Sequence, residues 1–247
     1  MSTIMHPLFI LVHVALVFWG IQLWQRERKL GTLLVVITAA SLAYDNAILT
    51  LGSSIGVGST LEALSVPRYL LHSVFTPMLA YVAYELAGAG GVAWAQVARN
   101  RNIIVGLVVA LIGVGMVQGV LGMHLKPACH DGILRYAERV TDNQVCEGVV
   151  YAEGELNVRG LPPIASIVTI IAVAVLGVLL GRKAGVWWLL VGAVVMFVTA
   201  MVPASRFGLW IGNGGEIALL VSLLFVTHLL QVRAGINSGR TAMAMSS

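Results

Sequence analysis

The sequence predicts an all-α, polytopic membrane protein, a seven-transmembrane-helix bundle with the N-terminus outside and the C-terminus in the cytoplasm. Of its 247 residues, 58% are hydrophobic and only 11% are charged, and the mean hydropathy is +0.91. A soluble domain has roughly twice that charged fraction. Apolar runs of about 20 residues, enough to cross the hydrocarbon, recur along the chain. They are too long for barrel strands, so we expect helices.

The apolar runs predict a single transmembrane domain, residues 1–232. The seven expected spans are approximately 7–25, 31–52, 66–88, 102–123, 161–181, 185–205 and 212–232. The basic cluster RERK follows the first run instead of preceding it, so this run is predicted to be a span inserted N-terminus outward and not a cleavable signal peptide. Residues 233–247 are expected to form a disordered cytoplasmic tail.

The density of lysine and arginine alternates between successive connections, and this asymmetry predicts the orientation. One predicted side has nine basic residues, namely Arg26, Arg28, Lys29, Arg99, Arg101, Arg182, Lys183, Arg233 and Arg240. The long fourth connection on the other side, residues 124–160, has four basic and six acidic residues. The sparser side is therefore predicted to be outside. The net charge of +4 follows from this bias and does not indicate nucleic-acid binding.

Both cysteines, Cys129 and Cys146, fall in the long outer connection. A disulfide between them would stabilise the protein by about 3 kcal/mol in the chain-entropy model. It would form in an oxidising compartment, and we expect a bacterial plasma membrane with this loop on the periplasmic side. Two unpaired thiols are the alternative. With the turn-forming pair Asp131–Gly132, the loop is predicted to be a small ordered cap over the outer mouth.

Polar side chains in five different spans fall at one depth. They are His13, Asp45, His72, Gln118 and Glu216. With a rise of about 1.5 Å per residue, all lie roughly 6–11 Å beneath the outer edge. Ionisable groups inside a membrane are costly and usually functional. We therefore predict an outer-half pocket, although each group taken alone could be a structural ion pair or an interhelical hydrogen bond.

More polar residues lie within one helical turn of this layer, and Arg206 adds a cation at its rim. The predicted catalytic residues are Asp45, Glu216 and His72. The predicted substrate-binding residues are Arg68, Asn46, Gln118, Asn213, Arg206 and His13. We expect the first, second, third and seventh spans to build the pocket.

Two carboxyls on different helices can have different protonation states. Asp45, with Arg68 and His72 expected nearby, would be ionised and act as a base. Glu216, with no obvious cationic partner, would keep its proton and act as an acid. This division of roles suits protonation-initiated chemistry on a lipid or isoprenoid substrate. The expected partners are therefore a lipid or isoprenoid small molecule and the bilayer. This hypothesis requires no cofactor, and it leaves the oligomeric state open.

The segments LAYDNAIL around Asp45 and GNGGEIALL around Glu216, in a seven-span chain of this length, resemble small integral-membrane terpene cyclases of meroterpenoid pathways. The resemblance implies that the two acids protonate an epoxide or alkene of a prenyl chain and direct its cyclisation. Compared with that family, Asp and Glu are exchanged between the second and seventh spans. His72 and the cysteine-containing outer loop are also not features that the family requires.

A second hypothesis is a metal-dependent intramembrane lipid hydrolase. His13, Asp45, His72 and Glu216 form an acceptable ligand set for a divalent metal such as zinc or iron. Seven-span ceramidases and adiponectin-receptor-like hydrolases provide an analogy. However, the His-x3-His pair in their last span is absent here.

The third hypothesis is a non-enzymatic seven-helix receptor, carrier or assembly factor. The last span has no lysine for a retinal Schiff base, which argues against a rhodopsin. The polar residues lie towards the outer face and not at the midplane, where a transporter usually has them. Haem would need two facing axial histidines, and His13 with His72 are the candidates.

Overall fold

The computed structural model describes residues 1–157 and 162–245, with side chains as far as residue 236. The chain is mostly helical, at 76%. Its helices are α1 Ser2–Glu27, α2 Leu30–Ile55, α3 Ser59–Ala89, α4 Ala98–Gly119, α5 Ile164–Ala184, α6 Trp188–Ala200, α7 Ala204–Phe207 and α8 Trp210–Met245. Three parts of the predicted elements lie outside the described residues: 158–160 at the end of the outer loop, 161 in the fifth span and 246–247 in the tail.

Among the described residues, five helices are long and apolar enough to cross a membrane, which supports the predicted class of helical membrane protein. They are α1, α2, α4, α5 and the part of α8 from Trp210 to Ile236. The 31-residue helix α3 is longer but more polar, and it is not among them. Helix α6 has 13 residues. At 1.5 Å per residue it covers about 20 Å, less than the hydrocarbon thickness.

Several helix limits differ from the predicted spans. Helix α3 begins at Ser59, well before residue 66, and includes both Pro67 and Pro77. The predicted sixth span is interrupted, because α6 ends at Ala200 and Pro203 precedes the short α7. A proline lacks the amide donor that a continuing helix needs. Helix α8 continues to Met245, past the limit at 232, in a stretch that contains no proline.

The outer loop contains a β-hairpin, so the all-α prediction was incomplete. Strands β1 (Lys126–His130) and β2 (Ile133–Ala137) pair in antiparallel register. They are joined at Asp131 and Gly132, whose φ angles are +50° and +77°. Positive φ at both central residues is characteristic of the two-residue type I′ turn. The predicted disulfide between Cys129 and Cys146 is confirmed, and it ties β1 to the segment after β2.

The hairpin is docked on the neighbouring ends of α2 and α3. The Ser53 hydroxyl donates to the Gly132 carbonyl at 2.9 Å and accepts from the Leu134 amide at 3.1 Å. From α3, the Tyr69 hydroxyl donates to the Tyr136 carbonyl at 3.1 Å. These bonds satisfy backbone groups of β2 and its turn, so the hairpin is held as a cap on this end of the bundle.

Helix α3 packs against α2, α4 and α5 in the interior of the bundle. Its approach to α4 depends on small residues: the Ser73 hydroxyl donates to the Gly115 carbonyl at 3.2 Å. A Cβ on Gly115 would lie 3.2 Å from the Ser73 carbonyl oxygen. Such close backbone contact is how helices gain packing energy in lipid, where burial from water contributes little.

Candidate functional site

A cavity of about 560 Å³ lies beneath the hairpin, among α2, α3, α4, α5 and α8. This volume is typical of small-molecule sites. Six of the predicted site residues line it: Asp45, Arg68, His72, Gln118, Asn213 and Glu216. The structure therefore brings together groups from four helices that are far apart in the sequence. The cavity wall differs from the prediction, because α1 is not part of it while α5 and the hairpin are.

Asp45 and Arg68 form an ion pair at the cavity wall. The Arg68 Nε donates to Asp45 Oδ1 at 2.7 Å. The Arg68 side chain is only 8% exposed, and the Asp45 side chain only 18%. Arg68 Nη1 is buried, with no hydrogen-bond partner in the described part of the chain. The aspartate thus satisfies one side of the guanidinium and leaves a donor on the other.

His72 lies one helical turn after Arg68 and faces the carboxyl of Glu216. Its Nε2 is 3.8 Å from Glu216 Oε1, which is within ion-pair range but too long for a hydrogen bond. The histidine is 42% exposed and the glutamate 15%. A carboxyl and an imidazole side by side on an accessible wall can exchange a proton with a bound molecule.

The hairpin contributes charged groups that the sequence did not predict as site residues. Arg135, Glu138 and Arg139 all line the cavity. Burial lowers the pKa of Arg135, and the neighbouring positive charge of Arg68 lowers it further, against the opposing effects of Tyr69 and Asp45. Side chains alternate along a strand. If a strand had been predicted after Asp131–Gly132, this alternation would have placed Arg135 on the opposite face from Leu134 and Tyr136, which are buried.

Asn46 was predicted to bind substrate, but it does not line the cavity. Its side chain is fully buried. Its Oδ1 accepts from Asn213 Nδ2 at 3.0 Å and lies 2.8 Å from His6 Nδ1. Successive residues of a helix point about 100° apart, so Asn46 faces α1 and α8 while Asp45 faces α3. Its contacts join three helices.

His13 and Arg206, also predicted to bind substrate, lie elsewhere. His13 is fully buried, and its Nδ1 is 2.7 Å from the Phe9 carbonyl of its own helix. Arg206 is exposed on α7, where its guanidinium carbon is 5.6 Å from the centre of the Phe207 ring. Depth alone placed His13 in the predicted layer and Arg206 at its rim, whereas the direction of each side chain depends on helix rotation.

No group of three or more His, Cys, Asp and Glu side chains in the described ranges is positioned to hold a metal ion. The ligand set of His13, Asp45, His72 and Glu216 is therefore not assembled. His13 also does not share the cavity with His72, so the two do not form an axial pair for haem. The chemistry that this geometry supports uses carboxyl, imidazole and guanidinium groups.

The cavity is lined by both charged and apolar residues. The ionisable side chains from α2, α3, α8 and the hairpin lie near one another, while Pro77, Gly115, Gly119 and Ala165 line it from α3, α4 and α5. A site of this kind suits an amphiphile, with its polar group among the charges and its chain between helices.

No protein-family model matches this chain, and comparison with curated proteins and with solved structures found no match. Its function is therefore inferred from the geometry of the site.

Proposed function

We propose that this protein is a membrane-embedded enzyme that performs acid–base chemistry on an amphiphilic lipid or isoprenoid. One observation carries the proposal: the Asp45–Arg68 pair and the His72–Glu216 pair line the same cavity. Two carboxyls in different electrostatic surroundings are a recurrent way to provide an acid and a base in one site.

The surroundings of the two carboxyls support different roles. Asp45 accepts a charge-assisted hydrogen bond from Arg68, which suits it to the role of base. Glu216 has only the looser contact with His72, so it more easily holds a proton and serves as the acid. Glu216 would deliver a proton to the substrate and Asp45 would remove one. Asp45 would then pass its proton to His72, which would return it to Glu216, so that both carboxyls regain their starting states. An alkene or epoxide of a prenyl chain is the reacting group that the resemblance to terpene cyclases suggests.

We propose further that α3 and α6 complete a seven-span topology with the N-terminus outside. The basic residues between α1 and α2 lie at the opposite end of α2 from the hairpin, and the positive-inside rule places such residues in the cytoplasm. The hairpin and its disulfide would then face an oxidising compartment, such as a bacterial periplasm. A substrate would reach the cavity laterally from the outer half of the bilayer.

The proposal is tested with Glu216→Gln, which keeps the shape of the side chain and removes its acid. Protein in liposomes of a total polar lipid extract, supplemented with prenyl chains and their epoxides, is assayed for new products by mass spectrometry. Glu62→Gln is the matched control, because Glu62 is an exposed carboxylate at the start of α3. We expect product from the wild type and the control only. A folded Glu216→Gln protein that forms the same product would refute the acid role, and a folded wild type that forms no product would favour a binding protein.

A further inference from the structure

We infer that the cavity binds a phosphate headgroup between the guanidinium groups of Arg68 and Arg135. The inference rests on the proposed function, because it specifies the polar end of the same amphiphilic substrate. It also assigns a binding role to the cap, since Arg135 belongs to β2 of the hairpin.

The first argument is the unsatisfied donor of Arg68. Its Nε is used by Asp45, but the buried Nη1 has no acceptor in the described part of the chain. A buried donor left without a partner costs about 1–3 kcal/mol, and more when it is charged. A ligand oxygen at this position would remove that cost. An oxyanion does so best, because hydrogen bonds from guanidinium to an anion are among the strongest in proteins.

The second argument is the excess of positive charge. Among the described residues, Arg135 has no carboxylate within ion-pair distance, and it lines the same cavity as Arg68, so the two positive charges repel. Asp45 balances only one of these two guanidinium groups. The two charged residues that follow the hairpin, Glu138 and Arg139, have opposite signs. One cation of the pair therefore needs an anion, and a bound anion would turn the repulsion into attraction.

The third argument concerns the shape of the anion. Arg68 comes from α3 and Arg135 from β2, so a ligand that meets both must offer oxygens in more than one direction. A phosphate group has three terminal oxygens, and the planar fork of arginine suits their geometry. The apolar residues that α3, α4 and α5 contribute to the lining then offer contacts for a hydrocarbon chain attached to that phosphate.

The test uses farnesyl phosphate, farnesol and inorganic phosphate as probes of the detergent-solubilised full chain, with affinities from calorimetry. We expect farnesyl phosphate to bind at least about tenfold more tightly than farnesol, or about 1.4 kcal/mol. Arg135→Gln should remove most of this difference, and Arg135→Lys should keep part of it. Arg206→Gln is the matched control, because Arg206 is an exposed arginine outside the cavity, and it should bind like the wild type.

Equal affinity for farnesyl phosphate and farnesol, or wild-type affinity in Arg135→Gln, would overturn the inference. If inorganic phosphate binds as tightly as farnesyl phosphate, the site is one for free phosphate, and the inference of a lipid headgroup is wrong. Glu216→Gln separates this inference from the proposed function, because it should bind farnesyl phosphate normally yet form no product. If that variant binds normally and is fully active, the proposed function fails while the phosphate site stands.

Discussion

The docking of the hairpin on α2 depends on the absence of a side chain at Gly52. A Cβ built there would overlap the carbonyl oxygen of Leu134 and lie 3.0 Å from its carbonyl carbon. Because the obstacle is backbone in a paired strand, it cannot move aside as a flexible side chain would. The Gly52→Ala variant should therefore push β2 away from the helix.

The expected cost follows from two contributions. Overpacking by one methyl group costs about 1–3 kcal/mol. Displacing β2 also weakens the two bonds that Ser53 makes, to Gly132 at 2.9 Å and from Leu134 at 3.1 Å, and each such bond is worth about 1 kcal/mol. These losses overlap, so we expect Gly52→Ala to lower the stability by about 2–3 kcal/mol.

Denaturant unfolding of the purified protein in detergent measures this loss, and the rate at which reductant opens the Cys129–Cys146 disulfide reports release of the cap. Gly113→Ala is the control, because a Cβ on Gly113 in α4 meets nothing within 4 Å. Removing a glycine from a helix interior should leave stability unchanged or raise it by up to about 1 kcal/mol. If Gly52→Ala unfolds and is reduced like the wild type, the hairpin does not pack against α2 as described.

Three other predictions concern the buried amide network and the cap. Asn46→Ala and Asn213→Ala should each destabilise the protein, because their side chains are hydrogen-bonded to each other. A double-mutant cycle of unfolding free energies should give a coupling energy of about 0.6–2 kcal/mol between them. If the two effects are additive, the amides do not interact. Replacing Cys129 and Cys146 by serine should cost about 3 kcal/mol of unfolding free energy, and an unchanged value would show that the disulfide does not constrain the unfolded chain. Hydrogen bonds from the Ser2 backbone and side chain, followed by the terminal amine, lower the pKa of Asp131 from 3.8 to about 2. Its contribution to stability is therefore complete above pH 4 and lost as the pH falls to about 2. Because the side chain is 35% exposed, solvent reduces this contribution to about 1 kcal/mol or less. The difference in melting temperature between wild type and Asp131→Asn should shrink over that pH range, and a constant difference would exclude this linkage.

Part of the site could be predicted because depth in a membrane follows from sequence position. A helix rises by a constant amount per residue, so Asp45, His72 and Glu216 could be placed at one level before any packing was known. Arg68 and His72 could be placed on one face because they are four residues apart. The structure brings all four to one cavity.

Other residues could not be assigned, because depth does not specify direction. Asn46 and His13 lie in the same layer, yet neither lines the cavity: Asn46 bonds to a neighbouring helix, and His13 bonds to the Phe9 carbonyl of its own helix. Arg135 was missed for a different reason: it lies in a loop outside the apolar spans, and only the docking of β2 on α2 and α3 brings it over the cavity. Hydropathy carries no information about such a cap.

The amino-acid sequence by itself determined the class of protein and the approximate position of its apolar helices. These properties follow from local composition and from the cost of placing polar backbone and charge in lipid. Only the tertiary structure decided which polar groups share a cavity, which pairs they form and which element covers them. Those outcomes depend on helix rotation and on contacts between residues far apart in the chain, such as Asp45 with Arg68 and His72 with Glu216.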